Sequence, residues 1–319
     1  MQFKTSAILV TYNHEPYVIE SLLSLINQSK KFDEIIIVDN NSQDKTTNLI
    51  EDAIKKFEIN VNFIKNKINY GVNKAINMGL KVSSGDIIYL QSGDDLSHLN
   101  RNEIILFELS NNNKIQLFLT SYQIIDNNSR DIRVINRSGV YTDPKKLIKM
   151  GSGLPPMGMT IKRELIDIIG NLNETVANED DILSFVAVLN GGIKIVDEIL
   201  YKYRMHNASM SGWSTFESDN TLYINNYFQN LTVRISNYKE WIVLLEARDY
   251  KNKNNLINLL NKKINLTNYI NDINKYSLWH RLFKLLLNYN YLNKSDVLVI
   301  LFKNYGAILY KKLRKIRYS

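Results

Sequence analysis

Asp94 and Asp95 stand side by side after an apolar run, Ile87-Ile88-Tyr89-Leu90, and a short polar stretch, Gln91-Ser92-Gly93. Adjacent carboxylates repel, so a fold keeps them together where a cation resides or where negative charge is wanted. Their oxygens suit hard divalent ions such as Mg2+ or Mn2+, which retain waters and bind substrate phosphates. A solvated turn is the plain alternative, because Gly-Asp-Asp is ordinary loop chemistry. A second acidic cluster, Glu179-Asp180-Asp181, opens an amphipathic segment, where the helix macrodipole alone favours acids in the first turn. A third stretch carries Arg204 and His206, and a neutral imidazole is a common metal ligand.

The elements that would position these groups read off the apolar runs. Ser6 to Val10, Glu34 to Val38, Val61 to Ile64 and Asp86 to Leu90 have the length and β-branched content of buried strands. Between them, Tyr17 to Ile26, Thr46 to Phe57 and Gly71 to Leu80 carry apolar residues at helical spacing. Alternation of this kind predicts a doubly wound α/β fold with a mostly parallel central sheet. Ligands in such sheets bind beyond the carboxyl ends of the strands. Thr11-Tyr12-Asn13, Asp39-Asn40 and Ser92-Gly93-Asp94-Asp95 all fall at such ends, so one crevice can collect them. Further on, Gln116 to Ser121 and Arg133 to Val140 read as added strands. The Gly/Pro-rich stretch from Gly151 to Met159 reads as a loop, followed by strand and helix from Thr160 to Ile169. Lys194 to Val196 reads as a further strand and Leu222 to Leu245 as a helix.

The 319 residues contain no cysteine, which excludes disulfides, thiolate catalysis and cysteine zinc sites. The formal charge is +8, but it is unevenly placed. Lys239 to Ser319 holds 16 Lys+Arg against 5 Asp+Glu, a net of +11, while the preceding residues are slightly acidic. Such asymmetry suggests an attached module with an anionic partner. Met1 to Thr5 enters a strand at once without a signal-peptide pattern, and no apolar run is long enough to span a bilayer. A cytoplasmic protein, soluble or peripheral on the inner face of the membrane, is therefore expected.

The strand-end motifs follow in a recognisable order. Thr11-Tyr12-Asn13 is followed by Val38-Asp39-Asn40-Asn41-Ser42-Gln43-Asp44, then by Asn69-Tyr70-Gly71-Val72-Asn73-Lys74-Ala75-Ile76-Asn77-Met78-Gly79, then by Gly85-Asp86 and the aspartate pair. The set resembles the family 2 glycosyltransferases, inverting enzymes with the nucleotide-binding GT-A fold. The resemblance covers residues 1–212, divided near residue 100 into a nucleotide-sugar half and an acceptor half, and leaves 213–319 as a helical, basic extension.

The resemblance implies a nucleotide-diphosphate-sugar donor and a divalent cation, Mn2+ or Mg2+. It places Thr11, Tyr12, Asn13, Asp39, Asn41, Asn73, Asn77, Ser92, Gly93, Asp94 and Arg204 at the donor, and Asp94, Asp95 and His206 at the metal. Asp180, with Asp181 as second choice, becomes the general base that deprotonates a hydroxyl of a glycan or lipid-linked acceptor. Glu179, Met157 and Gly158 fall on the acceptor side. Gly71, Ala75 and Gly79 let a helix approach the sheet closely. One departure stands out: where the family usually has Asp-x-Asp-Asp, the first position is Ser92.

Beyond Trp213 the resemblance fades. The segment from Tyr305 to Tyr318 mixes aromatics, aliphatics and basic residues, as in a helix lying on an anionic membrane or packed on the enzyme. No nucleic-acid module is visible. A nucleotidyltransferase is disfavoured by Thr11-Tyr12-Asn13-His14 where a Gly-rich phosphate loop would be needed. A binding module without activity is the other alternative, and Ser92 is its main support.

Overall fold

The computed structural model describes residues 3–58, 60–151, 154, 158–175, 179–206, 220–304, 306–309 and 313. The chain separates into two compact units, one of Met1–Thr142 with Leu154–His206, the other of Asp143–Gly153 with Asn207–Ser319. Among the described residues no helix is long and apolar enough to cross a membrane.

The first unit is built on a mixed sheet. Strands β1 (Thr5–Thr11), β2 (Glu34–Asp39), β3 (Asn62–Lys65) and β4 (Ile87–Ser92) run parallel in the order β3-β2-β1-β4. They are joined by α1 (Val18–Ile26), α2 (Thr46–Lys56) and α3 (Val72–Val82). Register makes the carboxyl ends coincide: Thr11 pairs with Asp39, and Val10 with Ser92. Every loop leaving this edge therefore starts at the same level. The sheet continues through β9 (Thr160–Lys162), antiparallel to β4, and then β6 (Leu117–Ile125) and β10 (Ile193–Arg204), which are parallel to each other. The short β5 (Leu96–Ser97), just beyond the aspartate pair, pairs antiparallel with β10.

Arg133 to Val140 is not one strand. It forms β7 (Asp131–Ile135), paired with β6, and β8 (Gly139–Tyr141), paired with β10. Between them Arg137 turns inward, its Nε donating to the Thr120 carbonyl at 3.0 Å, which breaks a run that its residue types would allow to continue.

Near-continuous apolar strands require cover on both faces. Ala7, Leu9, Ile37 and Tyr89 pack with Val18, Leu22 and Leu25 of α1 and with Ile105 and Leu109 of α4 (Arg101–Asn111). On α3, Gly79 is needed for close approach, since an added Cβ would lie 2.6 Å from Ile8 Cγ2. Gly71 serves differently. It has open space around its Cα but a φ of 86°, so it is kept for backbone conformation at the start of α3. Two further helices complete the unit, α6 (Arg163–Ile169) and α7 (Glu179–Leu189).

The second unit is helical. It contains α5 (Pro144–Met150), α8 (Asn220–Glu246), α9 (Lys253–Asn271), α10 (Leu278–Asn288) and α11 (Lys294–Phe302). Leu231, Leu266, Ile270, Ile273, Val299 and Ile300 form its core. Inside it, Asp296 accepts hydrogen bonds from Tyr227 Oη at 3.0 Å and Arg234 Nη1 at 3.2 Å. The short α5 is tied to it by Lys263 Nζ, which donates to the Lys149 carbonyl at 3.2 Å.

Candidate active site

Asp94 lies at the turn after β4, and the close approach of neighbouring loops explains the glycine before it. A Cβ on Gly93 would sit 2.6 Å from Thr11 Oγ1 and 2.7 Å from His14 Nδ1. The turn thus rests directly on the loop leaving β1. That contact brings two imidazoles to one carboxylate: Asp94 Oδ2 is 3.0 Å from His206 Nε2 and 3.7 Å from His14 Nε2. Burial alone would raise the Asp94 carboxyl. The hydrogen bonds from His206 and Ser92 and the proximity of His14 outweigh it and hold Asp94 below the usual carboxylate range. Burial pushes His14 the other way, below the ordinary imidazole value, against the pull of Asp94. Asp94 is therefore the charged member of the group, and His14 is biased toward the neutral form that can accept a hydrogen bond or a cation.

Asp95 is buried and turned toward β10. Its carboxylate accepts the Arg204 backbone N–H at 2.8 Å and Tyr201 Oη at 3.0 Å, both on β10. Burial, then repulsion from Asp94, raises it well above the ordinary range. The two neighbours are thus pushed apart in acidity, Asp94 downward at a half-buried position and Asp95 upward inside the fold. Of the two roles expected of Asp95, direct ligand or acceptor behind Asp94, these inward hydrogen bonds suit the second.

Arg204, expected at a diphosphate, is almost fully enclosed at 1% exposure. Its Nε donates to the Asp94 carbonyl at 2.7 Å, Nη1 to the Asp126 carbonyl at 3.1 Å and Ser129 Oγ at 2.9 Å, and Nη2 to Glu20 at 2.7 Å. The guanidinium also lies 4.7 Å from the centre of the Tyr17 ring, which packs 4.9 Å from the ring of His206. It is a clamp on the Asp94 turn, with four of its five N–H donors engaged by these protein partners. His14 and Tyr17 are the members that reading the sequence did not assign. Their signal is positional: both follow the Thr11-Tyr12-Asn13 strand end by less than two helical turns.

The β1 and β2 ends interlock. Asn13 (φ 54°) and Asn41 (φ 66°) take left-handed backbone conformations, which asparagine tolerates better than most residues. Asn13 N–H donates to Ser42 Oγ at 2.9 Å, and Asn13 Oδ1 accepts Gln43 N–H at 2.7 Å. Asp39, at 2% exposure, accepts the Ser42 N–H and hydroxyl and the Thr47 hydroxyl. Three of its acceptor positions are thus spent on its own turn. Tyr12 is exposed, Asn13 is exposed and Asn41 is half-buried at the same edge, while Thr11 is buried with Oγ1 3.2 Å from His14 Nδ1.

Asn73 and Asn77, expected to face a nucleotide, hold protein instead. Asn73 Nδ2 donates to the Asn173 carbonyl at 2.7 Å, and Asn77 exchanges two hydrogen bonds of 2.9 Å with the Leu172 backbone. Lys74 adds an ion pair of 3.0 Å to Glu174. Helix α3 therefore fixes the segment that leads toward the second acidic cluster. There Glu179 and Asp180 are half-buried and Asp181 is buried, at the start of α7. Burial, followed by the charges of Asp181 and Glu179, pushes Asp180 well above the carboxylate range, and Glu179 is pushed up to about 7 chiefly by burial. Gly158 is buried with a φ of 66°, and a Cβ there would lie 2.7 Å from Thr120 Oγ1. Met157 lies outside the described residues.

The sequence model described as glycosyl transferase family 2 matches residues 6–167, half of the chain. The chain belongs to that family. An uncharacterized glycosyltransferase of Haemophilus influenzae is 33% identical over 120 residues, 38% of this chain and 37% of the relative. The putative glycosyltransferase EpsE of Bacillus subtilis is 32% identical over 123 residues, 39% of this chain and 44% of EpsE. The chain thus matches less than half the length of either relative. Among solved structures, Staphylococcus aureus TarS 1–349 in complex with UDP-GlcNAc superposes with a TM-score of 0.59 at 18% identity, over 93% of this chain and 81% of TarS 1–349. GalNAc-T7 with UDP, GalNAc and Mn2+ gives 0.51 at 12% identity, over 66% of this chain and 44% of its own. At those identities the likeness is one of fold, and the fold of this family 2 member is GT-A.

Proposed function

We propose that this chain is an inverting glycosyltransferase, moving a sugar from a nucleotide-diphosphate sugar to a hydroxyl of a glycan or lipid-linked glycan that becomes bacterial surface polysaccharide. The observation that carries most weight is the position of Asp94 at the carboxyl edge of four parallel strands, with two imidazoles beside it and Arg204 bracing it from behind. TarS, of the same fold, was crystallised with UDP-GlcNAc, and GalNAc-T7 with UDP and Mn2+.

The donor set suits Mn2+ or Mg2+. Among the described residues no three His, Asp or Glu side chains form a ready cage. One carboxylate and one imidazole, Asp94 and His206, nevertheless fit ions that take their remaining ligands from waters and phosphate oxygens. The cation, when bound, would offset charge growing on the departing diphosphate. Asp94 and His206 would hold it, and Arg204 and Gly93 would keep Asp94 in place. Tyr12, Asn13 and Asn41 stand at the rim where a base or ribose would lie, and Asp39 shapes that rim through Ser42.

Asp180 is the proposed base. A carboxylate raised toward neutrality is a stronger proton acceptor than an ordinary one, which suits removal of a hydroxyl proton. The hydroxyl then attacks the anomeric carbon from the face opposite the diphosphate, so one displacement inverts configuration. Glu179 would orient the acceptor. The proposed setting is the cytoplasm, with the protein either soluble or peripheral on the inner face of the membrane.

A nucleotide-sugar-binding module without turnover is the second reading, favoured by Ser92 at a position usually carboxylate and by the inward turn of Asp95. A panel of nucleotide sugars tested with Mn2+ for release of nucleoside diphosphate separates the two. Transfer is expected. Donor-dependent thermal stabilisation without turnover for any acceptor tried would support the binding module.

A further inference from the structure

We propose that α10 is a docking helix for an anionic lipid surface, a role separate from sugar transfer. Its amphipathicity is inverted. Trp279, Phe283, Leu286 and Leu287 recur at helical spacing and share one face, where they are 80%, 60%, 81% and 59% exposed. Tyr289, just after the helix, continues this exposed series.

Two polar residues of the helix, Arg281 and Asn288, point into the unit, while His280 is exposed. Arg281 is buried, and its Nη1 donates to the Ile300 and Leu301 carbonyls at 3.0 and 2.8 Å, closing the carboxyl end of α11. Asn288 is buried as well. The helix is therefore pinned by its polar side with its apolar side in solvent. Scattered exposed leucines need no explanation, but four large apolar side chains on one helical face mark an interaction surface.

The chemistry of the occupant follows from composition and charge. Tryptophan, tyrosine and phenylalanine beside leucines suit the headgroup boundary, where an aromatic ring is half in water. The surrounding sequence is strongly basic, with a net of +11 from Lys239 to Ser319. On α10 itself Lys284 is half-buried with its ammonium 5.9 Å from the Tyr269 ring, so the positive charge is that of the segment as a whole, which complements anionic headgroups.

The test is sedimentation of the full-length chain with vesicles of phosphatidylcholine alone and of phosphatidylcholine mixed equally with phosphatidylglycerol. The wild type is expected to pellet with the anionic vesicles, with tryptophan emission quenched by brominated lipid. The variant Trp279→Ser/Phe283→Ser/Leu286→Ser is expected to lose about tenfold or more of that partition. Phe107→Ser, at an exposed site on α4, should keep it. Thermal melts confirm that each variant folds, and transfer to a water-soluble acceptor should be unchanged by the triple substitution. Three results would overturn the proposal: no pelleting of the wild type with anionic vesicles, equal pelleting of the triple variant, or a wild-type dimer that the substitutions convert to monomer without any vesicle binding. None of these bears on donor turnover, so docking and transfer fail independently.

Discussion

At the scale of single residues, the aspartate pair divides its labour by environment. Asp94 is kept ionised by imidazole neighbours, while Asp95 is buried against Tyr201 and the Arg204 backbone. Asp94→Asn should therefore weaken Mn2+ binding by about a hundredfold or more, because it removes a direct ligand, beyond the roughly tenfold to hundredfold typical of a partner behind one. Asp95→Asn should cost about tenfold, the low end of that range, and lower thermal stability. Titration calorimetry with Mn2+ and nucleotide distinguishes the two. A larger affinity loss for Asp95→Asn would reverse the assignment. The raised acidity of Asp180 gives activity a direction with pH. As the base must be ionised, kcat/KM should fall on acidification through an apparent pKa above the ordinary carboxylate range. A flat profile down to the usual range would remove Asp180 from that role.

Elements matter because they decide which way these residues face. The Asp94 turn is seated on the β1 loop through Gly93 and clamped by β10 through Arg204. Gly93→Ala should cost about 1–3 kcal/mol in a denaturation experiment, because the added methyl meets Thr11 and His14. Arg204→Met should cost about 2–4 kcal/mol by leaving the Asp94 and Asp126 carbonyls without their buried donor, with little added by the half-exposed Glu20. Measured changes below the thermal uncertainty would show that the clamp is dispensable. The strand ends were legible in the sequence because apolar runs stop abruptly at polar turns, and register then brings Thr11, Asp39 and Ser92 level. The facing of Asp95 and Arg204 was not legible, because it depends on pairings more than 100 residues apart. Asn73 and Asn77 likewise look like donor contacts until the 172–174 segment arrives to take their hydrogen bonds. The apolar residues of α10 carry no direction in the sequence, and only the packed helix shows that Trp279, Phe283, Leu286 and Leu287 face outward.

For the molecule as a whole, acid–base linkage makes stability depend on pH through groups with opposite shifts. Glu179, raised to about 7, holds its proton more tightly folded than unfolded, so it lowers stability as pH rises from its unfolded value through about 7. Asp94 acts oppositely: its contribution is present above its unfolded value and is lost as pH falls through its depressed one. Glu179→Gln should therefore be more stable than wild type near about pH 8, by about 1–2 kcal/mol, and indistinguishable near about pH 4. Urea titrations at the two pH values check the sign. The most direct test of the central claim pairs binding with turnover in wild type, Asp94→Asn and Asp180→Asn across a panel of nucleotide sugars with Mn2+. Asp180→Asn is predicted to retain donor-dependent thermal stabilisation while losing about a hundredfold or more in transfer rate, and Asp94→Asn to lose the stabilisation itself. Full transfer activity in Asp180→Asn, or undiminished donor stabilisation in Asp94→Asn, would contradict the account.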